Sequence, residues 1–105
     1  MAQWDVHPNP VARARDEIPY LVVLQSGLLD ALPTRWVAPL SRTTVAPGAL
    51  PSRMTPAFQV QGERLLLKPH ETGVVLALQL GKPVATLKSE SHLIVNAIDA
   101  VFSGV

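Results

Sequence analysis

The sequence predicts a single α+β domain, mainly β, in which an antiparallel sheet is closed by one C-terminal helix. Three observations carry this expectation. Short apolar runs recur between segments that hold most of the ten prolines and six glycines, the punctuation of strands joined by turns. The stretch 57–68 alternates in apolar character on either side of Gly62-Glu63, as a hairpin does. From Ser89 onward the apolar period lengthens from two to three and four residues, the signature of an amphipathic helix. A chain of 105 residues, 48% apolar and 16% charged, is one domain's worth with ample core material, so the domain is taken as 1–105.

Element by element, residues 3–6 make a first short strand, and the polar run 11–17 after His7-Pro8-Asn9-Pro10 is a long exposed loop. Residues 20–25 (Tyr-Leu-Val-Val-Leu-Gln) are rich in aliphatic and β-branched types and form a largely buried strand. Residues 36–40 form the next, with Pro39 placing it at an edge or a bulge because proline cannot donate to a ladder. Residues 42–53, which carry Pro47-Gly48 and Pro51, lack a sustained period and read as a loop. Residues 57–61 and 64–68 pair as the hairpin. Val74, Leu76, Leu78 and Leu80 fall at period two on one face of a fifth main strand, and the whole suggests a meander. In the final helix Ile94, Ala97, Ile98, Val101 and Phe102 form the apolar stripe. Ser89 is its expected N-cap, Glu90 complements the dipole, and Gly104 is a natural stop. An apolar chain end is unusual, since termini are commonly exposed and frayed. It tucks either into its own core or into a partner.

The absence of cysteine excludes disulfides, thiolate metal sites and a thiol nucleophile. A formal net charge of +1 gives no general attraction to nucleic acid, and no direct nucleic-acid contact is expected. Neither a leader nor an apolar run near the roughly 20 residues of a membrane span is visible, so a cytoplasmic protein without membrane contact is expected. His7, His70 and His92 lie on three different segments, and His70 and Glu71, if on a strand, face opposite sides. No metal site and no cofactor are anticipated. No Gly-x-Ser-x-Gly elbow or phosphate-cradling glycine loop is present; Gln25-Ser26-Gly27 reads as a strand end entering a turn, and Asp16-Glu17 as a solvated face. Arg13 and Arg15 share one loop, while Arg35, Arg42 and Arg53 lie in or near others. Such a set suits phosphates or an acidic peptide, and equally suits solubilising surface charge. No combination specifies an enzyme.

Two stretches resemble the CcdB family of bacterial toxins. The first is Leu24-Gln25-Ser26-Gly27-Leu28-Leu29-Asp30, continuing through Arg35-Trp36-Val37-Ala38-Pro39-Leu40. The family has Val-Gln-Ser-x-aliphatic-aliphatic-Asp, then Arg-x-Val-x-Pro-Leu at the same spacing. The second is Asn96-Ala97-Ile98-Asp99-Ala100-Val101-Phe102-Ser103-Gly104-Val105, which is similar to the family ending Asn-Ala-Ile-Asn-Leu-Met-Phe-Trp-Gly-Ile without a gap. Thr55-Pro56 and Gly62 also fit, and the resemblance runs from about Tyr20 to Val105.

The resemblance implies an SH3-like barrel-type antiparallel sheet of about five main strands, a small side sheet and one long C-terminal helix. It implies a homodimer that poisons DNA gyrase through the A subunit and is neutralised by a CcdA-like antitoxin of a type II toxin–antitoxin module. Carried over by position, the gyrase-facing residues are Leu28, Leu29, Asp99, Phe102, Ser103, Gly104 and Val105, with no catalytic residue among them. Asp99 departs from a family asparagine and Ser103 from the tryptophan of the gyrase contact, so Trp36 is a candidate to share that contact. Arg13, Arg15, Arg42 and Arg53 are the antitoxin-binding candidates. Two alternatives accompany this reading. One is an endoribonuclease of the MazF/Kid kind, for which Arg13, Arg15, Arg35 and Glu63 are the candidates. The other is a non-toxic interaction module that has lost the gyrase surface.

Overall fold

The computed structural model describes residues 2–43 and 49–104. Among the described residues seven strands run in the order β1 Asp5–Pro8, β2 Tyr20–Val23, β3 Thr34–Ser41, β4 Ala57–Val60, β5 Glu63–Leu67, β6 Gly73–Leu76 and β7 Ala85–Thr86, and helix α1 spans Ser91–Ser103. Hydrogen bonding joins them into one antiparallel, barrel-like sheet ordered β4-β5-β3-β2-β1-β7, with β6 also beside β3. The two ends of this order approach each other, since the Gln61 side chain at the β4–β5 turn donates to the Val84 carbonyl at 2.9 Å. One helix lies against the sheet, as the fold class requires.

The long strand β3 organises the rest. One edge pairs with β2; the other serves β6 along Thr34 to Val37 and β5 at Leu40 and Ser41. The main sheet and its lateral part are therefore continuous. β3 is central, so the edge position expected from Pro39 does not hold. Amide and carbonyl groups of alternate residues point to alternate edges. Trp36 faces β2, its carbonyl accepting from the Leu24 amide at 2.9 Å, so Pro39 faces the other way. There it meets the gap where β6 has ended and β5 begins, and its carbonyl accepts from Lys68. The missing N–H costs the ladder nothing at that point. The simple meander also fails, because β5 and not β4 follows β3 in space.

Both faces of the sheet are covered, which explains why β2 is apolar at every position. Val6, Val22, Leu24, Ala38 and Leu40 pack with Phe58, Val60, Leu65 and Leu67 beneath Ile94 and Ala97 of the helix. On the opposite face Leu21, Val23, Val37 and Leu80 pack with Ile18 and Val75. Each such side chain contributes about 1.5–3 kcal/mol by leaving water. His7 is fully buried, and its Nδ1 lies 2.8 Å from the Gly81 carbonyl. A carbonyl only accepts, so Nδ1 carries the proton.

Several boundaries differ from expectation for local reasons. β1 starts two residues late because Trp4 adopts φ +74. The hairpin turns at Gln61 and Gly62, both with positive φ, the geometry of a two-residue turn that follows strand twist. Glu63 is thus the first residue of β5. β6 ends at Leu76, where the amide is taken by the Gln79 side chain at 3.0 Å, and a tight turn follows. Val74, Leu76 and Leu78 are exposed rather than forming a core face. His70 and Glu71 lie in a turn, not a strand, and come within 3.6 Å. Lys88–Glu90 is a separate tight turn, so Glu90 and not Ser89 is the helix N-cap. Gly104 terminates the helix as expected, at φ +73 with its amide on the Ala100 carbonyl. Pro47 and Gly48 lie outside the described residues.

Candidate functional site

The helix divides its apolar residues between core and surface. Ile94, Ala97 and Ala100 recur every third residue and are buried. Val101 and Phe102 fall off that row, and Phe102 is 80% exposed. The helix end therefore does not tuck into its own core, and a large aromatic stands in water. Asn96, Asp99, Phe102 and Ser103 border a shallow hollow of about 530 Å³ together with Arg53, which arrives on the turn Ser52–Met54 packed against the helix. An arginine assigned to antitoxin contact thus sits among the residues assigned to gyrase. The Ser103 hydroxyl donates back to the Asp99 carbonyl at 2.8 Å, so this position closes the helix where the family tryptophan would project. Val105 lies outside the described residues.

Leu28 and Leu29 form a separate prong on the turn Gly27–Leu29, with Leu28 93% exposed. None of the cavities bordering the helix end includes them. Ser26 caps this turn, its hydroxyl accepting from the Leu28 amide at 3.2 Å. Two buried side chains hold the prong from beneath. Gln25 donates to the Thr34 carbonyl at 3.0 Å and accepts from the Trp36 amide at 3.0 Å. Arg35 donates to the carbonyls of Leu32 at 2.6 Å, Thr34 at 2.8 Å and Asp30 at 3.2 Å. Arg35 is a buried clamp for residues 30–34, not a surface cation.

The remaining arginines differ in availability. Arg42 pairs with Glu63 and donates to the carbonyls of Asp16 at 2.8 Å and Arg15 at 3.2 Å. The hydrogen bond from Arg42 lowers the Glu63 carboxyl below its ordinary range, and the carboxylate in turn raises the Arg42 guanidinium. Asp16 and Glu17 are exposed, as expected of a solvated face, and the Glu17 carboxylate also makes a tertiary contact. Glu17 accepts from the Thr43 hydroxyl at 3.0 Å, and Thr43 accepts from the buried Lys68 at 3.1 Å. These bonds fasten the long loop after β1 to the ends of β3 and β5. Arg15 donates to the Asn9 carbonyl, and Arg13 is exposed on the turn Ala12–Ala14. Of the set Arg13, Arg15, Arg35 and Glu63, Arg35 is buried under the prong, while Arg42 engages Glu63 and ties it to the loop that carries Arg13 and Arg15.

Among the described residues no three histidine, aspartate or glutamate side chains cluster as metal ligands, and no helix is long and apolar enough to cross a membrane.

The sequence matches the CcdB protein family over residues 3–104. The chain belongs to the CcdB family. CcdB proteins are toxins of toxin–antitoxin modules, and the match extends the resemblance almost to the start of the chain. Among solved structures, this CcdB-family chain is similar to the Mycobacterium tuberculosis toxin MazF-mt6, with a TM-score of 0.69 at 17% identity, covering 93% of this chain and 95% of that one. It is also similar to a structure described as an Mtb toxin, with a TM-score of 0.63 at 18% identity over 79% and 91% of the two chains. At such identities the likeness is one of fold. A comparison with curated protein sequences gave no match.

Proposed function

We propose that this CcdB-family chain is a toxin that acts by binding and not by catalysis. It works as a homodimer that engages the A subunit of DNA gyrase and traps the cleaved-DNA complex, and it is silenced by a CcdA-like antitoxin. The observation that carries this reading is the exposed Phe102 at the end of a helix that buries only Ile94, Ala97 and Ala100, in a chain that matches the family nearly end to end. Val95 and Val101 of the same helix are exposed as well, and grouped exposed apolar side chains, unlike single ones, mark interaction surfaces. Asp99, Ser103 and Gly104 surround Phe102, Leu28 and Leu29 supply the second contact, and Val105 completes the family pattern. Arg13, Arg15 and Arg53 face solvent and suit an acidic antitoxin segment; Arg42, already paired with Glu63, suits it less.

The test is a gyrase cleavage assay with ATP and supercoiled DNA, run beside a Ser103→Trp variant. Linear DNA with the natural protein is the expected result. Cleavage by Ser103→Trp alone would refute gyrase as the natural target while leaving the scaffold competent. Monomer alone in gel filtration at micromolar concentration would refute the homodimer.

RNA cleavage is the second reading, favoured by the fold shared with MazF-mt6. The burial of Arg35 and the engagement of Glu63 by Arg42 weigh against it, because general acid–base cleavage needs its groups free and within hydrogen-bond reach of one phosphodiester. RNA left intact at high protein concentration is the expected outcome. Normal growth of cells expressing the chain alone would support the non-toxic interaction module instead.

A further inference from the structure

The long loop between β1 and β2 is held to the rest of the chain almost wholly by polar contacts. Asn9 and Pro19 at its two ends are buried, and no residue between them is. Ile18 alone joins an apolar cluster, packing against that of Leu21, Val23 and Val37. Asn9 closes the neck of the loop. Its backbone amide donates to the Pro19 carbonyl at 2.9 Å and its side-chain amide to the Ile18 carbonyl at 2.9 Å. Its side-chain oxygen accepts from the Val11 amide at 3.0 Å. Residues 10–18 thus form a compact loop with joined ends. With so little apolar burial, such a segment opens at a much lower free energy than a sheet core.

Away from the neck, two cations on the sheet fasten the loop body. The Glu63 carboxylate on β5 engages Nε and Nη2 of Arg42, which leaves Nη1 for the carbonyls of Asp16 at 2.8 Å and Arg15 at 3.2 Å. The Arg42 amide donates to the Glu17 carbonyl at 2.8 Å. Glu63 therefore orients the guanidinium, and the guanidinium orients the loop. Lys68 is the second cation. It is buried and has no carboxylate within ion-pair distance among the described residues. It reaches Glu17 only through the Thr43 hydroxyl, which accepts from Lys68 at 3.1 Å and donates to Glu17 at 3.0 Å. A buried cation without a counter-charge is costly, so the negative charge that Glu17 brings favours the closed loop.

We infer that residues 10–18 are a strap that opens and closes as a unit over an intact sheet, with Arg42 as its latch and Thr43 as its second fastening. Arg13 and Arg15 ride on the strap, so the latch sets where both stand. On the reading of these two as contacts of an acidic antitoxin segment, on which this consequence rests, Arg42 is a positioning residue that acts on the partner through the strap. Closure and partner binding are then linked, because a partner that binds the closed strap better than the open one holds it shut.

The test is amide hydrogen exchange of the full chain at neutral pH, followed residue by residue by NMR. The amide of Ile18, bonded to the Ala14 carbonyl, and that of Arg42, bonded to Glu17, should exchange with one shared opening constant. That opening should be about a hundred-fold or more easier than the one exposing Val22 and Ala38 in the β2–β3 ladder. Arg42→Met should speed exchange at positions 18 and 42 about five-fold or more and leave Val22 and Ala38 unchanged. Arg42→Lys keeps the charge but not the fork and should fall between Arg42→Met and the natural chain. Thr43→Val should speed the strap about two- to five-fold. Strap amides as slow as Val22 and Ala38, unrelated openings at Ile18 and Arg42, or an Arg42→Met chain in which all four amides speed alike or none does, would overturn the strap. Hexaglutamate, as the acidic probe, should slow both strap amides of the natural chain. A latched strap indifferent to hexaglutamate upholds the strap and refutes Arg13 and Arg15 as contacts for an acidic segment.

Discussion

Replacing Arg35 with methionine removes a guanidinium that is 6% exposed and bonded to three backbone carbonyls. A hydrogen bond from a charged donor contributes about 1.5–3 kcal/mol, so the three set an upper bound near 4–9 kcal/mol. Against this stands relief from burying a cation, which recovers several kcal/mol. That cation has no carboxylate within ion-pair distance among the described residues, and its Nε has no hydrogen-bond partner. The balance is a loss of about 2–4 kcal/mol, a large part of the 5–15 kcal/mol typical of a domain. Urea denaturation followed by far-UV circular dichroism should show a lower midpoint at unchanged slope. Thermal unfolding should drop by roughly 10–20 °C. Arg35→Lys should recover less than half, since an ammonium reaches one carbonyl where the fork reaches three. A methionine variant within about 0.5 kcal/mol of the natural protein would refute the clamp, because a surface arginine behaves that way.

Three further outcomes follow from the same geometry. Phe102→Ser should change stability by less than about 0.5 kcal/mol, because the ring is exposed, while abolishing growth arrest; a large loss of stability would mean the ring packs within its own chain. Gly104→Ala should cost about 1 kcal/mol in chemical denaturation, the penalty of a Cβ at positive φ. The Glu63 carboxyl is lowered in the fold, so its contribution is present above the unfolded carboxylate range near about pH 4. It is lost as pH falls through the lower folded value. Glu63→Gln should therefore lower the neutral plateau slightly and leave stability below the folded value unchanged, so that the acid limb flattens, as read by urea midpoints against pH.

The parts of the fold legible in the sequence are those where packing and local preference agree. Residues 20–25, the hairpin around Gly62 and the stripe through Ile94 and Ala97 all landed in the elements their periods indicate. Legibility failed where one residue answers to something distant in sequence. Pro39 reads as an edge signal because its tolerance depends on β5 and β6 sharing one side of β3. The two-residue β7 has too short a period to be seen. Val74, Leu76 and Leu78 alternate as core residues do, yet they face solvent, and alternation alone does not say which side of a strand is covered. Lys68 and Arg35 look like surface charges, and only tertiary hydrogen bonds reveal them as buried.

The same ambiguity explains how much of the site was readable. Leu28 and Phe102 were named from motif, and both prove to be exposed, but the residues that hold them in place carried no such mark. Gln25 and Arg35 lie in the first motif beside the prong they support, and their side chains spend their hydrogen bonds on backbone rather than on any partner. Arg53 reads as one arginine among several until the turn Ser52–Met54 brings it to the helix end. In the first motif the polar Gln25 and Arg35 turn inward and set the backbone while Leu28 and Leu29 face solvent; in the second, Ala97 and Ala100 are buried and Phe102 faces solvent. A substitution at Arg35 should therefore reach the prong through folding, and one at Phe102 should reach the partner without touching the fold. Comparing the two variants for stability and for growth arrest measures whether this division holds.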